Sequence, residues 1–297
     1  MAKIFVIGAG FMGGGIAQVC ASYGHDVWLN DANPEALAKG IDGIRWSLDK
    51  LASKGYLPME PETVMARLHP SDDLSPAADA DWIIEAVVEV EDLKKNLFRE
   101  LDKLAPPDTP IGSNTSSIPI TRLASVVSRP ERVLGLHFFG PVPFMGVVEV
   151  VKGERTDEAV FQRGIEFVKG LGKTPVRVRR DIPLFVMNRI FSAAFNEAIN
   201  LVAEGVASVE DVDVGMRQGY GWAAGPFEVA DNAGVDIYDM VFTVMSNVGE
   251  TRLSRGPGMD IIKEMVAQGR LGRKTGQGFY DYTPDGKRVP RGDKNKN

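Results

Sequence analysis

Lys3-Ile-Phe-Val-Ile7 runs straight into Gly8-Ala9-Gly10-Phe11-Met12-Gly13, and Ile16 to Tyr23 then continues with helical apolar spacing as far as Gly24. The order is strand, tight turn, helix. In such a unit Gly8 permits the turn, Gly10 lets the backbone approach a pyrophosphate, and Gly13 allows close packing of helix on strand, with the phosphates facing the helix N-terminus. Phe11 and Met12 lie between these glycines and share the predicted cofactor-contacting turn. The second strand, Asp26 to Asn30, ends at Asp31, where an acidic side chain would accept hydrogen bonds from an adenosine ribose and repel a 2'-phosphate. No arginine lies beside Asp31, so the position predicts NAD rather than NADP. A glycine-rich turn alone is a weak signal; here the strand, the helix and the terminal acid all fit.

Downstream, Asn33 and Pro34 offer a helix start, and Leu37, Ile41, Ile44, Leu48 and Leu51 recur at three- and four-residue steps. The other side of this predicted helix carries Ser47, Lys50 and Lys54, with positions 47 and 54 two turns apart on one face, where lysines are ordinarily just solvated. Trp82 to Val88 is a near-continuous apolar run ending at Glu89, as expected of a parallel strand covered on both sides. Leu93 to Leu104 reads as helix, and Pro110 to Ser113 as a short strand entering Asn114-Thr-Ser116-Ser117. Arg132 to Phe139 and Gly146 to Val151 are two more strands, Asp157 to Leu171 a helix, and Pro175 to Arg179 the last strand. From Pro183 the character changes to helices punctuated by glycines: Phe185 to Glu204, Val209 to Met216, Pro226 to Ala230, Ile237 to Val248 and Met259 to Gln268. The alternation predicts an α/β, doubly wound sheet over residues 1–182, followed by a smaller all-helical domain over 183–297, with ligands beyond the carboxyl ends of the strands.

The composition is consistent with this. A chain of 297 residues tends to divide into two domains, and 44% hydrophobic with 25% charged residues is globular. A formal net charge of −6 gives no electrostatic footprint for nucleic acid, although the tail from Lys287 to Asn297 is locally basic and reads as a frayed end. No apolar run is long enough to span a bilayer, and the start on a core strand leaves no room for a secretory leader. The single cysteine, Cys20, falls on the apolar side of the first helix, so no disulfide framework exists and a reducing cytoplasm is the expected compartment.

Oxidising an alcohol with NAD requires a base for the hydroxyl proton, and histidine is the usual choice. Of three histidines, His25 sits in a turn, His69 lies in a charged loop near Pro70, and His137 ends a strand on the ligand side. Glu149 follows in the neighbouring strand, and the connection can fold the two strands back beside each other. A carboxylate on one ring nitrogen fixes the tautomer, frees the other nitrogen as base and stabilises the imidazolium. Strand-end histidines are also commonly structural. Ser116 and Asn188 are types that can hold a substrate oxygen, and equally types that cap helices.

GAGFMGGGIAQ (8–18), SNTSSI (113–118), GLHFFGPVPFMGVVEV (135–150), NRIFSAAFNEA (188–198), GPFEVADNAGVD (225–236) and GRLGRKTGQGFYDY (269–282) stand in the order and spacing of the L-3-hydroxyacyl-CoA dehydrogenases, which the chain resembles over nearly its whole length. The resemblance implies a Rossmann-type first domain, a helical domain that makes a homodimer, and hydride transfer between NAD and C3 of a 3-hydroxyacyl thioester. It implies His137 as catalytic base with Glu149 as its orienting partner, and Ser116 and Asn188 near the reacting oxygens. Asp31, Glu89, Lys94, Ser116 and Lys274 match cofactor-contacting positions, and Ser47 and Lys54 match coenzyme A contacts. The chain departs from the family's usual HFFNP at Gly140 and from its usual glycine at Leu184. The departures are either drift or a rebuilt substrate pocket, with Phe144 and Leu184 suiting an acyl group other than a short straight chain. Two rivals stay open: a dehydrogenase of a free hydroxy acid or sugar acid on the same scaffold, and a nucleotide-binding protein of little turnover.

Overall fold

The computed structural model describes residues 1–247, 249–250 and 255–289, which fall into two compact units divided between Val186 and Met187. In the first unit, strands β1 (Lys3–Ile7), β2 (Asp26–Asn30), β3 (Leu68–Ser71), β4 (Trp82–Glu85), β5 (Ile111–Ser113), β6 (Val133–Phe138), β7 (Val147–Val151) and β8 (Thr174–Val178) form one sheet in the spatial order 3-2-1-4-5-6-7-8. Neighbours run parallel except β6 and β7, which are antiparallel. Six helices accompany them: α1 (Phe11–Ser22), α2 (Pro34–Ala52), α3 (Pro61–Met65), α4 (Glu91–Leu104), α5 (Ile120–Ala124) and α6 (Glu158–Gly170).

Alternation along β1 explains why that strand is apolar throughout. Ile4 and Val6 join Ile16, Cys20, Ile44, Leu48 and Ile165 of α1, α2 and α6 on one face, while Phe5 and Ile7 join Phe98, Leu101, Ile120 and Leu123 of α4 and α5 on the other. Each large side chain so buried contributes roughly 1.5–3 kcal/mol. That outweighs the ~1 kcal/mol that a mid-helix glycine such as Gly40 or Gly43 costs α2. Asn33 starts α2 as expected, its side chain accepting from the Glu35 and Ala36 amides ahead of Pro34. The strand order reverses between β1 and β4, which opens a crevice at their carboxyl ends.

The second unit packs α7 (Met187–Ala203), α8 (Val209–Tyr220), α9 (Pro226–Ala233), α10 (Val235–Asn247) and α11 (Gly258–Ala267) around Phe195, Ile199, Phe227, Phe242, Phe279 and Tyr280. Two buried acids tie it together. Asp213 accepts from the Phe227 and Glu228 amides at the start of α9 and from the Tyr280 hydroxyl. Asp231, within α9, accepts from the Phe279 and Tyr280 amides and the Tyr282 hydroxyl. Burial raises both carboxyls above the usual range, and these hydrogen bonds offset part of the rise.

Several expected boundaries move. Residues 68–71 form a strand rather than a charged loop, and Pro70 is tolerated because β3 is the sheet's edge. His69 there lies against the Trp28 ring, 4.5 Å between centroids. The apolar run from Trp82 leaves the sheet after Glu85, four residues before Glu89. Helix α2 stops at Ala52, so Lys54 lies in the following turn and does not share a helical face with Ser47. Helix α7 starts at Met187, because Leu184 and Phe185 adopt left-handed backbone with φ of 65° and 51°. Helix α8 extends to Tyr220 and α9 to Ala233, beyond their expected ends. Val248 and the tail beyond Val289 lie outside the described residues.

Candidate active site

The turn from β1 into α1 has the geometry that its glycines imply. Gly8 has φ of 102°, and a β-carbon on Gly13 would lie 1.7 Å from the Gly8 carbonyl oxygen, so neither position accepts another residue. Gly10, the N-cap of α1, faces open space, with nothing within 4 Å of where its β-carbon would point. The first turn of α1 carries no acid, which leaves the positive end of the helix for an anion. Asp31 is bound to this turn: Oδ2 accepts from the Ala9 amide at 2.8 Å and Oδ1 from Asn33 at 2.9 Å. Gly8, Gly10, Phe11, Met12, Gly13 and Asp31 therefore converge and fit a dinucleotide.

His137 and Glu149 face each other directly across the antiparallel β6–β7 pair. Glu149 Oε2 lies 2.7 Å from His137 Nδ1, and Oε1 accepts from the Val186 amide at 2.9 Å. The carboxylate is fully buried and the imidazole 5% exposed, flanked by the rings of Phe139 and Phe185 at 4.6 and 5.6 Å. Three residues beyond His137, Gly140 sits against the dinucleotide turn. A β-carbon there would lie 2.6 Å from the Phe11 ring and 3.3 Å from Met12 Sδ. An asparagine at this position would therefore have to displace the Phe11 ring.

A second polar cluster stands beyond β4 and β5. Lys94, 1% exposed, bonds Glu85 at 2.7 Å and Glu89 at 3.0 Å. Glu89 Oε1 also accepts from the Thr115 hydroxyl, the Ser116 and Ser117 amides and the Ser117 hydroxyl. Burial pushes the Glu89 carboxyl up, but the Lys94 ammonium and these hydroxyls outweigh it and hold it below the usual range. Asn114 Oδ1 accepts from the Phe138 amide and so joins this cluster to the end of β6. Glu85, Asn114, Thr115 and Ser117 escaped the sequence reading; the available signal was one acid, Glu85, inside an otherwise apolar run.

Between α1, α2 and the 141–144 segment lies a cleft of about 720 Å³. Phe11, Trp46, Val142 and Phe144 give it apolar walls, Ser47, Lys39 and Lys50 line it as polar groups on the α2 side, and Gly10 and Asp31 of the dinucleotide turn close its other end. Lys50 Nζ lies 4.6 Å from the centre of the Trp46 ring. Lys50 is among the lining residues and Lys54 is not. Leu184 is buried at 2% exposure and does not line this cleft either.

Two expected site residues belong to the second unit. Asn188 is the second residue of α7, and Lys274 pairs with both carboxylate oxygens of Asp236 at 2.6 and 2.7 Å. Among the described residues no helix is long and apolar enough to cross a membrane. Cys20 is buried, its thiol pushed up to about 12 by that burial, as an inert core cysteine should be.

Known proteins bear the same signature. Residues 3–182 match the 3-hydroxyacyl-CoA dehydrogenase NAD binding domain, and residues 185–282 match that family's C-terminal domain. A probable 3-hydroxybutyryl-CoA dehydrogenase of Deinococcus radiodurans is 43% identical over 94% of this chain and 100% of its own. The human mitochondrial hydroxyacyl-coenzyme A dehydrogenase is 39% identical over 94% of this chain and 90% of its own. The crystal structure of the (S)-3-hydroxybutyryl-CoA dehydrogenase from Ralstonia eutropha superposes with a TM-score of 0.88 at 38% identity, covering 95% of this chain and 99% of that one. With the glycine turn, the acid that closes β2 and the paired histidine and glutamate in one unit, the chain belongs to the 3-hydroxyacyl-CoA dehydrogenase family.

Proposed function

We propose that this protein interconverts an L-3-hydroxyacyl-CoA and the 3-ketoacyl-CoA, with NAD as partner in hydride transfer. The observation that carries this reading is the buried His137–Glu149 pair, three residues before the Gly140 that meets the dinucleotide turn. Glu149 keeps the proton on Nδ1, so Nε2 presents a lone pair that takes the 3-hydroxyl proton as C3 is oxidised. The resulting imidazolium is stabilised by the same carboxylate, itself fixed by the Val186 amide. In the reverse direction Nε2–H returns the proton to the ketone oxygen. Bound NAD supplies the hydride acceptor, and NADH the donor.

Gly8, Gly10, Phe11, Met12, Gly13 and Asp31 would hold the dinucleotide, with Glu89 and Lys94 beyond β4; Lys274 is a contact by the family resemblance alone. Ser116 meets Glu89 through its backbone N–H, and its hydroxyl is assigned to the substrate oxygen, a role that the family resemblance also gives Asn188. The nucleotide-bearing arm of the thioester is assigned to the α2 side of the cleft, along Ser47 and Lys50, while the end lined by Gly10, Phe11 and Asp31 is left to the dinucleotide. Lys54 would act from the turn that follows. The exposed apolar side chains Ile190, Val206 and Met240 of the helical unit support a homodimer.

NADH oxidation with short, long, branched and aromatic 3-ketoacyl-CoA esters, beside the corresponding free acids, tests the assignment. Turnover confined to the CoA esters is expected. Turnover of free acids alone would transfer the protein to the rival on the same scaffold, and NADH binding without any turnover would leave only a scaffold role.

A further inference from the structure

The wall of the cleft opposite α2 is fixed by a buried cation. The segment leaves the sheet after Phe138 and rejoins it at Val147, next to Gly146, whose carbonyl accepts from the Thr174 amide at 2.7 Å. In between, Pro141, Val142, Pro143 and Phe144 line the cleft. Lys173, just before β8, is 9% exposed, and its Nζ donates to the carbonyl oxygens of Val142 and Met145, both at 2.7 Å. Burial lowers its pKa below the ordinary lysine value, and the neighbouring Cys20 offsets part of that shift. On its other side the segment is pressed against α1, since a β-carbon on Gly15 would come within 2.9 Å of Val142 Cβ.

A buried ammonium is costly to desolvate, and an apolar side chain would fill the same space without that cost. Lys173 takes no part in the proton or hydride chemistry. What it does is aim two carbonyls of a segment that the sheet's own ladder does not reach, through charge-assisted hydrogen bonds of the strong kind.

We infer that Lys173 is a positioning residue for substrate recognition: it holds the Pro141–Met145 wall at the distance from α2 that the nucleotide-bearing arm of the thioester requires. The inference rests on the reading that this arm occupies the cleft. The test compares kcat/KM for a 3-ketoacyl-CoA with that for the same acyl group on N-acetylcysteamine, which lacks the nucleotide. In the parent the CoA ester should be preferred; equal handling of both would defeat the cleft assignment itself.

Lys173→Met, an apolar side chain of similar length, should reduce that preference by about tenfold, the scale of one lost charge-assisted hydrogen bond, mainly through KM for the CoA ester. Its kcat on the N-acetylcysteamine thioester should stay near the parent's. Lys173→Gln keeps an amide donor and should recover part of the preference; it also carries the test if Lys173→Met does not fold. A folded variant that retains the parent's full preference for the CoA ester would overturn the inference. So would equal losses on both thioesters, which would mark Lys173 as a support of the fold alone.

Discussion

At the scale of single residues, the arrangement rests on one carboxylate holding two donors. Glu149 spends one oxygen on His137 and the other on the Val186 amide, so it is fixed before any substrate arrives. Glu149→Gln keeps the shape but removes the charge that stabilises the imidazolium, and kcat should fall by ~10²-fold or more while NADH affinity is kept. Steady-state kinetics beside fluorescence titration with NADH would check this. Leu184 poses a different balance. Its left-handed backbone costs roughly 1–2 kcal/mol, whereas stripping a buried leucine side chain costs about 3–5 kcal/mol, so burial wins. Leu184→Gly should therefore destabilise the protein by about 1–4 kcal/mol in denaturant unfolding despite relieving strain. His137 and Glu149 were legible because facing positions on adjacent antiparallel strands follow from their spacing. Leu184 was legible as a departure from the family pattern but not as a buried, positive-φ residue, since nothing local in a leucine signals that conformation.

At the scale of elements, what the sequence showed best was periodicity. The β1–α1–β2 unit, the Asn33 cap and the antiparallel return of β7 all follow from spacing alone. Less legible were places where a polar group interrupts a pattern for tertiary reasons. Edge strand β3 contains a proline, β4 ends at a buried Glu85, and α2 loses its last predicted residues to a turn. Glu89, held below the ordinary 4.5 by Lys94 and the Thr115 and Ser117 hydroxyls, stabilises the fold above that value. The contribution is lost as pH falls through the folded-state pKa, because the unfolded chain then takes up protons more readily. The thermal midpoint of the parent should therefore drop more steeply below pH 4.5 than that of Glu89→Gln. Coincident pH profiles for the two proteins would contradict the assigned stabilisation. In the helical unit, Asp231→Ala would strand the Phe279 and Tyr280 amides and the Tyr282 hydroxyl. At ~1–3 kcal/mol for each buried unpaired group, a loss of about 3 kcal/mol or more is expected in chemical denaturation.

At the scale of the whole molecule, the division into a sheet unit and a helical unit was visible as a change from alternating strands and helices to helices alone. The structure places the junction a few residues later than the Arg180–Pro183 joint, after the two left-handed residues and Val186. Family membership came from long motifs in register, and the structure gives several of them a physical reason. GPFEVADNAGVD and GRLGRKTGQGFYDY contain the partners of the buried Asp213 and Asp231 networks, and SNTSSI supplies the donors that surround Glu89. The cleft walls were the least legible part, because Phe11, Trp46, Phe144 and Lys173 come from separate segments and carry no shared local pattern. The central claim is that an imidazole fixed by Glu149 moves the proton while the glycine turn holds the dinucleotide independently of it. Comparing kcat for NADH oxidation by a 3-ketoacyl-CoA between the parent and His137→Gln tests it most directly: a fall of ~10²-fold or more with the NADH Kd unchanged is predicted, and an unchanged kcat would contradict it.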